Sequence, residues 1–127
     1  MRRGFMYIDK DEVKGRMTLE KILDLVFTST VSYKEIALEI LSWMKDKALE
    51  ERRIDLWVSR SELSRFINER FGRNRRSTAY KVIREFLLPM GMLMLDADRD
   101  RYVISREFAR ALRRLADSYE VWLKSRP

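Results

Sequence analysis

Two apolar stripes of helical spacing meet at one glycine. Leu63, Phe66, Ile67 and Phe71 form the first, and Ala79, Val82, Ile83, Phe86 and Leu87 the second, with Gly72 between them and Pro89 beyond. Intervals of three and four residues put each set on one side of an α-helix. Glycine ends helices in a left-handed conformation that a Cβ disfavours, and proline cannot continue the hydrogen-bond ladder. The pattern predicts helix, tight turn, helix, with Gly72 left-handed after the first and Asn74 capping the second.

The same stretch holds the charge. Residues 70–84, RFGRNRRSTAYKVIR, carry six basic side chains (Arg70, Arg73, Arg75, Arg76, Lys81, Arg84) and no acid. Residues 1–59 have eleven basic and eleven acidic residues, residues 60–84 eight and two, and residues 85–127 eight and seven, so +6 of the net +7 falls in the middle segment. A localised basic patch is the electrostatic footprint of a polyanion partner. The plainer reading is a solvated face on an Arg-rich chain. A helix built only for solvation mixes signs to gain i,i+4 pairs, as the C-terminal segment of this chain does.

The remaining elements follow from periodicity and caps. Leu19, Ile22, Leu23 and Val26 predict a short helix near Thr18 to Phe27, broken by Thr28 to Thr30. Ser32 with Glu35 has capping-box spacing and opens a helix whose stripe is Tyr33, Ile36, Ala37, Ile40, Leu41, Met44 and Ala48. Ile54, Leu56 and Val58 alternate with Asp55 and Trp57 as a strand, with Trp57 on the less buried side. Ser59 with Glu62 repeats the capping box, with Ser61 as the competing cap. Met92 to Leu95 and Arg101 to Ile104 predict a hairpin around the turn at residues 96–100, and Ser105 caps a last helix reaching about Lys124. Phe5 to Ile8 form a short strand or an arm. The methionines Met90, Met92 and Met94 are expected to fill the core, and Trp43, Trp57 and Trp122 to be core or edge aromatics.

Helix, strand, helix, turn, helix, strand, hairpin turn, strand over roughly Ser32 to Ser105 resembles a winged helix-turn-helix domain of archaeal or bacterial regulator type. The expected fold is thus mainly α with a small β-sheet. An arm and short helix (residues 1–31) precede the winged segment (32–105), and a long C-terminal helix (106–127) follows it, all in one compact domain. The resemblance implies duplex DNA as partner and a small transcriptional regulator as function. Burying Ala79, Val82, Ile83 and Phe86 turns Arg76, Ser77, Tyr80, Lys81 and Arg84 outward as candidates for base edges. Arg60, Ser61, Arg65, Arg73 and Arg75 are candidates for phosphates. Arg99 and Arg101 would be the wing contacts, although Asp96, Asp98 and Asp100 are unfavourable company for a groove-binding wing.

In the last helix, Phe108, Leu112, Leu115, Tyr119 and Trp122 are spaced four, three, four and three, the seam of a coiled coil. Either a homodimer or packing on the chain's own core would use it. A protein-interaction module within a larger assembly is the rival function, and non-specific chromatin or RNA binding a third. Catalysis is not expected: there is no Cys, no His, no phosphate loop and no nucleophile elbow. No metal and no cofactor are expected either. DADRD lacks the glycine and terminal glutamate of a calcium loop. No apolar run approaches the ~18 residues of a membrane span, and no leader pattern opens the chain, so no membrane partner and a cytoplasmic location are expected. Depletion of Cys and amide residues beside 37% charged residues resembles thermophile composition.

Overall fold

A computed structural model describes residues 8–28 and 30–126. The chain is mainly helical with one three-stranded antiparallel sheet, an order of elements compatible with a winged helix. Most of the expected strand or arm at Phe5 to Ile8 lies outside the described residues.

Helix α1 (Leu19–Val26) starts on Thr18, whose hydroxyl accepts the Lys21 amide, and buries Leu23 and Val26. Helix α2 (Val31–Glu50) buries the expected stripe, with Ile36, Ile40 and Met44 at the centre of the core. Its start corrects the sequence reading. The Lys34 amide bonds to the Thr30 carbonyl, so Ser32 lies inside the first turn and is no cap. Strand β1 (Trp57–Ser59) is shorter than the alternation predicts. Its partner ends where the Ile104 amide reaches the Leu56 carbonyl, and Ile54, with no strand beside it, is fully exposed.

Helix α3 (Arg60–Val82) is two arms bent at Gly72. The capping box of Ser59 and Glu62 closes as expected. Gly72 has the positive φ predicted for it, 65°, but its ψ is −176°, which is extended and not left-handed helical. Only glycine holds that combination without strain. The turn shrinks to this one residue. Asn74 is helical, so it is not the cap of the second arm. A π-helical turn (Ile83–Leu87) continues the second arm, and residues 88–91 leave the axis around Pro89.

Strands β2 (Leu93–Asp96) and β3 (Arg101–Ile104) form the hairpin, and β3 lies between β1 and β2. Asp96, expected in the turn, pairs opposite Arg101 as the last residue of β2. Met92 is buried and Met90 packs on the core, whereas Met94 is exposed on the sheet face and fills nothing.

Helix α4 (Glu107–Lys124) begins one residue later than a Ser105 cap predicts, with Arg106 at the cap position. The Ser105 hydroxyl nevertheless accepts the Glu107 amide. The root of α4 is fixed by Gly91. Its carbonyl accepts the Phe108 amide, and a Cβ there would lie 2.9 Å from both Glu107 Cβ and Phe108 N. Phe108 packs against the core, but no residue of α4 is buried.

Candidate nucleic-acid interface

The two arms of α3 meet at the bend with their polar sides linked. The Tyr80 hydroxyl donates to Ser64 Oγ at 3.2 Å, and Arg76 Nη1 donates to Asn68 Oδ1 at 3.2 Å. Asn68 is neutral, so this bond sets no opposite charge against Arg76, which is half-buried. Ser64 and Asn68 were not singled out by the sequence reading. Their signal is their spacing, four apart along the edge of the buried stripe of the first arm.

Arg73, Arg75 and Ser77 are exposed beside this link. Arg73, Arg76, Ser77, Tyr80 and Arg84 form one stripe at helical intervals, opposite Ala79 and Val82. Arg75 departs from it. It shares the side of Ala79 and Val82 but precedes the packed part of the arm, and its guanidinium lies over the Phe71 ring, 5.4 Å from the centroid. Arg84 is 66% exposed and pairs with its neighbour Glu85 at 3.3 Å. Lys81 is half-buried, with its ammonium 5.6 Å from the Tyr33 ring. Arg70, one of the cations in the acid-free run, is paired across the fold with Glu39 of α2.

The start of the first arm is held by the expected Ser59–Glu62 capping box joined to Arg53, which the sequence did not reveal. Glu62 accepts two bonds from Arg53, at 3.0 and 2.8 Å, and one from the Ser59 amide at 2.8 Å. Arg53 also donates to the Trp57 carbonyl at 2.9 Å. The Arg53 guanidinium, with the Ser59 amide second, holds the Glu62 carboxyl down at about 2, and Glu62 in turn raises Arg53. This bidentate pair is mostly shielded, with 13% and 21% of the two side chains exposed. It fixes the direction in which Arg60, Ser61 and Arg65 leave the sheet. Ser61 and Arg65 are exposed.

Two of the three hairpin acids are paired, one of them by α3. Asp96 pairs with Arg99 at 3.4 Å and with Arg101 at 3.2 Å, and Asp100 pairs with Arg60 at 3.4 Å. The Asp100 carbonyl also accepts the Arg60 amide, which ties the hairpin tip to the start of α3. Arg101 is largely covered: its guanidinium stacks 4.8 Å from the Trp57 ring centre, and Arg53 lies 3.9 Å from the same ring. Trp57 is thus the half-buried aromatic expected from the alternation. Arg99 is 69% exposed.

Of the eight cations in residues 60–84, Arg65, Arg73, Arg75, Arg76 and Arg84 form no ion pair with another element among the described residues. All lie on one bent helix and its continuation, with Arg73, Arg76 and Arg84 on its outward stripe and Arg75 beside the bend. Such a series matches a row of phosphates better than it matches any small anion. Among the described residues, no group of three or more acidic side chains is placed to hold a metal, and no helix is long and apolar enough to cross a membrane. Compared with family models, curated proteins and solved structures, the chain finds no match.

Proposed function

We propose that the protein is a winged-helix DNA-binding regulator that sets the second arm of α3 against duplex DNA and acts as a dimer through α4. The observation that carries this reading is the cluster of arginines around the Gly72 bend. Arg73 and Arg75 are exposed and Arg76 is half-buried, all on one helix, with no acid in the sequence from Arg70 to Arg84. Arg65, Arg73 and Arg75 take phosphates. Arg76, Ser77, Tyr80 and Arg84 share the stripe that faces a groove, with Lys81 at its edge. Arg60 serves a phosphate only by leaving Asp100, and Arg101 only by leaving Asp96 and Trp57. The reading therefore weights the helix above the hairpin.

The test is a titration of fluorescent duplex DNA at several salt concentrations. With five phosphates neutralised, log K falls against log salt with a slope of about −4.5. No binding at micromolar protein in low salt, or a slope near zero, refutes it. Competition with random duplex and structured RNA separates a regulator from a non-specific coat. A partner pulled from extract after nuclease treatment, without any DNA binding, would favour the protein-interaction reading instead.

A further inference from the structure

Two polar bonds lace the arms of α3 together, placed symmetrically about Gly72. Asn68 and Arg76 lie four residues before and after it, and Ser64 and Tyr80 eight. The Tyr80–Ser64 bond is partly buried, and the Arg76–Asn68 bond lies at the surface. Two links across a bend that turns on one residue hold the arms at a single angle, and with them the reach of Arg76.

The surface bond leaves one kind of group facing outward. Arginine only donates, so the Asn68 amide must turn its oxygen to Arg76 and its nitrogen away. One guanidinium N–H is spent on that oxygen. The others, and both N–H groups of the exposed Asn68 amide, make no bond among the described residues. The pair thus presents donors, with its acceptor turned to the guanidinium. Among base edges in the major groove, guanine alone offers two acceptors side by side, O6 and N7. Adenine and cytosine each offer a donor there, and thymine a methyl group.

A phosphate is also rich in acceptors, but the tether separates the two. Phosphate contacts fix position, and a freely swinging cation such as the exposed Arg73 meets one without help. Reading a base needs the guanidinium plane held in advance, which removes rotamer entropy that binding would otherwise cost. An acid at position 68 would hold the plane and offset the charge. The neutral amide holds the plane and leaves the charge for the groove.

We propose that Arg76 reads a guanine in the major groove and that Asn68, on the other arm, is the positioning residue that sets its plane. This rests on the DNA part of the proposed function and names the base that part of the site takes. It is independent of the dimer part.

Duplexes selected by the wild type from a random pool should share a guanine at which 7-deazaguanine weakens binding at least about fivefold. That base pairs with cytosine as before but lacks the N7 acceptor. Arg76→Ala should bind the two duplexes equally, within about twofold. Asn68→Ala should bring the ratio below about threefold and keep the salt slope near −4.5, because it removes no charge. Its thermal unfolding should match the wild type, since Asn68 is exposed. Asn68→Asp keeps an oxygen for Arg76 and offsets its charge, so it should retain the ratio while weakening binding to every duplex. A ratio unchanged by Asn68→Ala overturns the proposal, as does a selected set with no common guanine. So does a ratio that survives in Arg76→Ala with the slope smaller by about 0.9, which makes Arg76 a phosphate contact. These outcomes leave duplex binding intact and sink only the base assignment. A wild type that binds no duplex refutes the nucleic-acid reading itself.

Discussion

Glutamine in place of Glu62 removes one charge from the node that starts α3, and the cost can be worked out in advance. In the folded chain the carboxyl titrates at about 2, against 4.5 for the free side chain. That difference corresponds to about 3 kcal/mol, at roughly 1.4 kcal/mol per pH unit. The folded value is the depressed one, so the stabilisation is complete above about pH 4.5 and drains away as pH falls towards about 2. Glutamine still offers one oxygen to Arg53 or to the Ser59 amide. Glu62→Gln should therefore cost about 2–3 kcal/mol near neutral pH, the higher figure if Arg53 loses both bonds. For a chain of this size that lowers the melting temperature by roughly 10 °C. Denaturant unfolding of both proteins should be followed from about pH 7 down to about pH 2.5, where the two curves converge because the wild-type carboxyl is gaining its proton. A difference below about 0.5 kcal/mol at neutral pH, or one that stays constant as pH falls, would refute the assignment of Glu62 as the charged anchor of Arg53.

Replacing Arg73 and Arg75 together by alanine should reduce the salt slope of DNA binding from about −4.5 to about −2.7 while leaving thermal unfolding within about 0.5 kcal/mol, since both side chains are exposed. Gly72→Ala should cost about 1–3 kcal/mol, measured by denaturant unfolding, because the new Cβ meets open space but not the backbone angles it must adopt. Gly91→Ala adds a contact at 2.9 Å to the same kind of backbone penalty. It should destabilise by at least as much and weaken α4 pairing in sedimentation.

Most of the architecture was legible because helix stripes and caps are local. The α2 and α3 stripes are buried where their spacing put them, and β3 has the bounds read from its sequence. What failed depended on something distant or on one backbone angle. The alternation at Ile54 looked like strand, but nothing in it reports the length of the neighbouring strand. Ser32 and Glu35 had the right spacing for a cap two residues too late, and the Thr30 carbonyl had already entered the ladder. Gly72 marked the break without specifying its ψ. In the site, the exposed Ser77, Arg73 and Arg75 were read from periodicity and charge. The loss of Arg70 to Glu39, of Arg60 to Asp100 and of Arg101 to Asp96 and Trp57 was not. Each of those partners sits on another element, and sequence spacing carries no record of them.

The tight seat of α4 against Gly91 makes that helix a lever with a stiff fulcrum. Its 18 residues extend about 27 Å, so a tilt of about 10° at the root swings the tip by roughly 5 Å. A side chain at position 91 would therefore be felt most at the far end, among Tyr119 and Trp122, which never touch it. Natural variation in the neighbourhood of residue 107 would translate in the same way into where the far end of the helix stands relative to the bend at Gly72.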